Sequence, residues 1–227
     1  MVGAISQYVG AAIGVFLFET TEPVTVAWLR AAAAAVALAA WRRPWRRDWT
    51  RGGVGVALMF GLVTIGMNAA IYEAMARIPL GTAVAIEFLG PTAVAAHGSR
   101  RLRDFAAVGL ASLGVFLLAC VEFDANIAGV LFALVSAAMW AGYLLLGKRV
   151  ADTGDGLDSL AAGMSLAALV LAPAILIPQA VVDASVFAEP RTWLLGLCIG
   201  LLSTVIPYAL DQLVFVQIGS AKFALLL

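Results

Sequence analysis

The sequence predicts an all-α polytopic membrane protein, and three observations carry that reading. Of 227 residues, 63% are hydrophobic and only 12% are charged, whereas soluble domains carry about 25% charged residues. The apolar residues run continuously over helix-length stretches, which leaves out the every-second-residue alternation of membrane β-barrel strands. The basic residues collect in alternate loops, as in a chain that crosses a bilayer repeatedly. A span takes about 20 residues and a short loop a handful more, so this length corresponds to about nine spans with no room for a soluble domain. With 14 basic and 14 acidic side chains the net charge is zero, so no bulk field recruits nucleic acid.

The first apolar stretch, Val2 to Phe18, ends at the acidic loop Glu19 to Pro23. It has no positive leading region and no small-residue cleavage site, so it does not read as a signal peptide. The second, Val24 to Trp41, runs into an arginine-rich loop that reaches Arg51. The third covers Val54 to Ala76, and the turn Arg77-Ile-Pro79-Leu-Gly81 joins it to the fourth, Thr82 to His97. After Ser99 to Asp104 comes a fifth stretch, Phe105 to Val121, then a polar turn from Glu122 to Asn126. The sixth is Ile127 to Gly147, and a polar loop from Lys148 to Asp158 precedes the seventh, Ser159 to Ile177. The longest loop is expected at Gln179 to Thr192, before an eighth stretch from Trp193 to Phe215 and a last one opening near Gly219.

Charge orients these segments. One set of alternate loops holds Arg42, Arg43, Arg46, Arg47, Arg51, Arg100, Arg101, Arg103, Lys148, Arg149 and Lys222; the other holds only Arg77 and Arg191. Eleven against two is a positive-inside signal, which makes the arginine-rich loops cytoplasmic. Trp41, Trp45 and Trp49 then fit an interfacial aromatic belt. Cys120 and Cys198 lie in apolar stretches and read as small buried hydrophobes. A single histidine, His97, leaves no paired-histidine or HExxH metal site. No Ser/His, paired-Asp or metal constellation supports an intramembrane enzyme.

An internal repeat is visible at an offset of 140 residues. Asn68 to Thr82 parallels Tyr208 to Lys222, each copy ending one helix with Ile and a Pro or Gly turn before the next begins. Gly61 to Thr64 echoes Gly200 to Thr204. An odd number of spans separates the copies, so the two halves face opposite sides of the bilayer, and a substrate site is expected at their interface near the midplane.

The third and fourth spans are the most specific part of the chain. Gly66-Met67-Asn68-Ala-Ala-Ile-Tyr72, followed by Ile78-Pro79-Leu80-Gly81 and on through Glu87-Phe88-Leu-Gly90-Pro91, resembles the threonine/homoserine exporter branch of the EamA family, in the drug/metabolite transporter superfamily. Ser99-Arg100-Arg101, Ala138-Met-Trp140-Ala-Gly-Tyr143, and Leu202-Ser203-Thr204-Val-Ile-Pro207-Tyr208 continue the likeness over nearly the whole chain. The resemblance implies ten helices in two inverted five-helix halves and no cofactor. It also implies export of small amino acids or related metabolites on the proton gradient. The first half is placed at 1–126 and the second at 127–227. The first and last of about nine segments are read as incomplete, which predicts that the chain is a fragment. Other cargo, or a non-transporting membrane subunit, remains an alternative reading. Partners are a small-molecule substrate and the lipid bilayer of a bacterial cytoplasmic membrane, with a homodimer left open.

Ionisable groups inside a membrane cost about 2.5 to 3.5 kcal/mol each on insertion scales, so each needs a reason. Arg30 and Glu87 lie six and seven residues into helices that enter from the same side, hence about 9 and about 10 Å deep. Matching depth permits an ion pair, either a purely structural one or one in which Glu87 exchanges a proton for an amino-acid ammonium. Pro91 and Pro207 lack the N–H that would bond the carbonyls of Glu87 and Ser203, so both helices are expected to break there. Asn68 and Tyr72 share one helix face and can bond a polar substrate or each other's neighbours. Trp140, Tyr143, Ser203 and Tyr208 complete the candidate cavity. Glu73 with Arg77 reads as a surface pair, and Asp211 as snorkelling toward the interface.

Overall fold

A computed structural model describes residues 2–98, 126–152 and 156–218, with residues 105, 106, 109, 110, 113, 114 and 117 described singly. The described residues contain no strand. Nine α-helices follow in order: α1 Val2–Val15, α2 Pro23–Arg42, α3 Arg51–Met75, α4 Leu80–Glu87, α5 Leu89–Gly98, α6 Ile127–Asp152, α7 Gly156–Asp183, α8 Pro190–Gly200 and α9 Ile206–Ile218. The α4–α5 and α8–α9 pairs each form one interrupted crossing. Among the described residues, six segments are therefore long and apolar enough to span a membrane, with α1 shorter. The fifth apolar stretch lies largely, and the ninth wholly, outside the described residues.

Local chemistry sets the helix ends. Pro23 opens α2, where its fixed φ suits the first turn and its missing N–H costs nothing. The same helix closes on Arg43, in the left-handed region at φ 51° with its N–H on the Ala39 carbonyl, and Pro44 then prevents continuation. Trp49 Nε1 donates to the Pro44 carbonyl at 2.8 Å, and Thr50 caps α3 by accepting from the Gly53 N–H at 3.1 Å. Trp41 and Trp45 remain exposed beside this turn, in keeping with an interfacial belt.

The expected loop from Gln179 to Thr192 is a correction. α7 continues through Pro173 and Pro178 to Asp183, and a short 3₁₀ turn spans Ala184–Phe187 before α8. Gln179 is buried and accepts the Glu22 N–H at 3.0 Å, so it anchors a helix end to the α1–α2 loop. The polar loop near Lys148 likewise shrinks, because α6 extends to Asp152 and α7 starts at Gly156.

Helix contacts give the repeat a geometric form. Glu22 meets Gln179, Trp28 Nε1 donates to the Ala168 carbonyl, and Arg42 meets Asp158. Residue numbers rise along α2 as they fall along α7, so these two helices, which occupy equivalent places 140 residues apart, run antiparallel. Trp28 thereby touches its own repeat equivalent. Tyr208 does so too, since its hydroxyl donates to Asn68 Oδ1 at 3.2 Å. Residues that touch their own equivalents lie on the axis relating the two copies. That axis passes α2 near Trp28 and Arg30 and passes between Asn68 and Tyr208, which marks the centre of the inverted repeat. α1 packs on α8 and α9 as α6 packs on α3.

Close packing is driven by small residues, as in membrane interiors generally. A Cβ on Gly61 would lie 2.0 Å from the Gly163 carbonyl oxygen, and one on Gly90 would lie 2.1 Å from that of Ala137. Only glycine permits the α3–α7 and α5–α6 backbones to approach this closely. The outward surface carries Val36, Met59, Leu131, Leu145, Leu169 and Leu194 exposed, the apolar exterior that lipid contact requires.

Candidate functional site

Three polar clusters lie inside this bundle, joined along α3. The first surrounds Arg30, which is 2% exposed. Its Nε donates to Thr204 Oγ1 at 2.7 Å, its Nη2 to the Ser203 carbonyl at 2.5 Å, and its Nη1 to the Tyr72 hydroxyl at 3.4 Å. The guanidinium also sits over the Tyr72 ring, 5.7 Å from its centroid. Pro207 explains the shortest of these bonds. It leaves the Ser203 carbonyl without its helical donor, the chain widens into a π-turn over Leu201–Val205, and the freed oxygen is taken by Arg30. Among the described residues, three of the five guanidinium N–H groups are thus engaged.

Above Tyr72, Phe18 packs edge-on at 5.4 Å between centroids. Phe18 also lines a cleft with Glu19, Glu22, Glu73 and Arg77, on the side poor in arginine. Glu73 and Arg77 pair at that mouth, as their spacing predicts.

The second cluster is Glu87, 4% exposed, at the last position of α4. Ser136 Oγ donates to its Oε1 at 2.5 Å and lies 3.0 Å from the Met67 carbonyl. The ion pair with Arg30 that matching depth permits does not form, and among the described residues Glu87 faces no cation within 4 Å. The helix breaks here as Pro91 requires. The carbonyls of Phe88 and Leu89 lie 3.0 and 2.9 Å from the Thr92 hydroxyl, whereas among the described residues no side chain bonds the Glu87 carbonyl. Phe88 turns edge-on to Trp140, with centroids 5.2 Å apart. Trp140 therefore walls the broken segment.

The third cluster is a chain of aromatic hydroxyls. Asn68 donates to the Thr64 carbonyl at 2.8 Å and accepts from Tyr208; the Tyr208 ring lies 5.1 Å from that of Tyr143. Tyr143 stacks on Phe60 and donates to Asp211 Oδ2 at 3.1 Å. Asp211 is half-buried and bonded to Tyr143 rather than extended away from the bundle. α9 continues to Ile218, so Asp211 sits mid-helix one turn beyond Tyr208 and points inward. The Tyr208–Asp211 spacing of three was the sequence signal for a shared face. Ser136 is the other residue that sequence reasoning missed; a lone serine in an alanine-rich span carries no pattern.

Of the expected residues, Arg30, Tyr72 and Ser203 share one cluster, and Asn68, Tyr208 and Tyr143 share another. Glu87 stands apart with Trp140 nearby, and Pro91 and Pro207 mark the two breaks. Met67 and Asn68 are successive residues of α3, and Tyr72 follows one turn later, so all three clusters lie around the centre of the repeat. No three His, Cys, Asp or Glu side chains converge as metal ligands among the described residues.

Comparison with known proteins agrees with this architecture. Residues 127–227 match the model of the EamA-like transporter family. The chain is 34% identical over 223 residues to proteins named threonine/homoserine exporter RhtA from Salmonella typhimurium strain LT2 and from Escherichia coli strains K12 and O157:H7. Each alignment covers 96% of this chain and 73% of the relative. No solved structure matches. A multi-pass helical bundle with an internal inverted repeat, aligned over nearly its whole length to about three quarters of these exporters, belongs to the EamA-like transporter family.

Proposed function

We propose that the protein is a proton-coupled exporter of small amino acids of the threonine/homoserine type, working across the bacterial cytoplasmic membrane with its arginine-rich loops inside. The observation that carries the reading is Glu87, a buried carboxyl at a helix interruption, bonded to a serine hydroxyl and paired with no cation. Buried charges of this kind mark substrate and proton pathways in membrane proteins. The Ser136 hydroxyl suits both protonation states. It donates to an ionised Glu87, or it turns to donate to the Met67 carbonyl and accepts a hydrogen bond from the O–H of a neutral one. Glu87 releases its proton toward the cytoplasm and takes the substrate ammonium in exchange; a proton entering from outside then displaces the ammonium outward. The N–H groups of Arg30 that make no bond among the described residues suit the substrate carboxylate, since guanidinium and carboxylate pair in a fixed fork. Alternation between the two sides follows from rocking one half, 1–126, against the other, 127–227, about the shared axis.

The test is uptake of labelled threonine and homoserine into inside-out vesicles carrying the full-length protein. An imposed proton gradient is expected to drive accumulation of one or both and to leave unrelated neutral sugars outside. Equal behaviour of vesicles with and without the protein would overturn the reading.

A further inference from the structure

The carboxyl of Asp211 has no place in the scheme above, and neither does the residue beside it. Asp211 is half-buried; Tyr143 is its one hydrogen-bond partner and no cation lies within 4 Å among the described residues. Gln212 is 1% exposed and lies beside the Tyr143 hydroxyl, yet neither its Nε2 nor its Oε1 reaches hydrogen-bond geometry. A half-buried carboxyl with no cation among the described residues and a buried amide without a well-formed hydrogen bond are each unfavourable alone. Found together, unsatisfied groups of this kind call for a ligand that completes them.

We propose that Asp211, Gln212 and Tyr143 form a second subsite for an ammonium-bearing solute, on the arginine-rich side of Glu87. The proposal rests on the transporter reading and specifies the next station on its path. α6 supplies the geometry. Ser136 holds Glu87 and Tyr143 holds Asp211, and these two α6 residues are seven apart, so they share one face two turns, or about 10 Å, apart. Trp140 lies between them on that face. The free Asp211 oxygen accepts from an ammonium. Gln212 Nε2 donates to a carboxylate, and its Oε1 accepts from a hydroxyl. A small zwitterion that carries all three groups satisfies every unbonded atom, whereas a bare proton satisfies only Asp211.

Titration of the purified full-length protein by intrinsic tryptophan fluorescence tests this, with L-threonine, N-acetyl-L-threonine and n-propylammonium as probes. All variants are compared in a Glu87→Gln background, which removes the ammonium site described above; there, Asp211→Asn is expected to weaken binding of L-threonine and n-propylammonium about tenfold or more, the scale of a lost charged hydrogen bond. Asp211→Glu should recover part of the affinity, and N-acetyl-L-threonine should bind none of the variants. Gln212→Leu should weaken L-threonine alone and raise the melting temperature, since it removes an unsatisfied amide. Affinity for L-threonine in both Asp211→Asn and Gln212→Leu equal to that of Glu87→Gln alone overturns the subsite and leaves the exporter reading standing. Asp211-dependent binding of n-propylammonium without any binding of L-threonine keeps the subsite and overturns the cargo. If wild type binds no ammonium probe, both fall. Should Asp211→Asn fail to fold, Asp211→Glu and Gln212→Leu carry the comparison.

Discussion

The molecule contains two helices broken by the same device, and the breaks end in opposite states. In both, a proline withholds the N–H due to the carbonyl four residues earlier, at Glu87 in one helix and Ser203 in the other. At Ser203 the freed oxygen is filled by Arg30 at 2.5 Å, and Arg30 also donates to Thr204 and Tyr72. At Glu87, among the described residues, no side chain takes the carbonyl, and a carboxyl without a cation stands beside it. A proline makes a polar opening; whether that opening is a joint or a binding site depends on whether a neighbour already fills it. The first break is braced to α2 through the π-turn Leu201–Val205, whereas among the described residues the second has no such brace, which is why we read it as the ammonium site.

The largest effect should come from the unfilled break. Glu87→Gln keeps the shape and the contact with Ser136 but removes the exchangeable proton. It is expected to abolish proton-driven accumulation of threonine in inside-out vesicles, with insertion and melting temperature near wild type. Normal transport with an unchanged pH response would make Glu87 structural and erase the contrast. The filled break should respond in the other sense. Arg30→Lys retains the charge but cannot reach three divergent acceptors, because an ammonium is a compact point charge and the guanidinium a fork. Losing part of that network should cost about 1.5 to 3 kcal/mol, as for hydrogen bonds to charged groups. A clear fall in melting temperature, larger than for Glu87→Gln, is the measurement.

How far the sequence reached follows the same division. The helices themselves were legible because continuous apolar runs have no other stable form in a bilayer, and both breaks were legible because proline acts within its own helix. The capture of Ser203 by Arg30 was not, since those residues lie 173 apart and meet only through packing of α2 on the π-turn. The Arg30–Glu87 pair drawn from equal depth failed for a related reason. Depth fixes height in the membrane but not the face of the helix, and Ser136 of α6 occupies the side that Glu87 faces. The bond from Tyr143 to Asp211 was not legible either, since it joins α6 to α9 across 68 residues of chain.

A smaller change probes the axis between the two copies. Tyr208→Phe removes the hydroxyl that bonds Asn68 but leaves the ring against Tyr143. The expected loss is about 0.5 to 1.5 kcal/mol of stability, the net worth of one hydrogen bond, read as a modest drop in melting temperature. A cost well above that range would mean the aromatic chain also braces the two halves.

The finest test exchanges each proline for alanine. Pro207→Ala supplies an N–H toward the Ser203 carbonyl, but that oxygen has two lone pairs and already holds Arg30 on one. The carbonyl accommodates both donors, so transport and melting temperature should move little. Pro91→Ala supplies an N–H to the Glu87 carbonyl, which among the described residues has no side-chain donor to share it with. The helix then closes across the break, and the opening beside the carboxyl is lost. Stability should rise slightly while the KM for threonine increases and the pH response of transport, which belongs to the carboxyl, persists. Equal effects from the two alanines would show that the breaks are interchangeable, and the difference between brace and site would then have to lie in Glu87 alone.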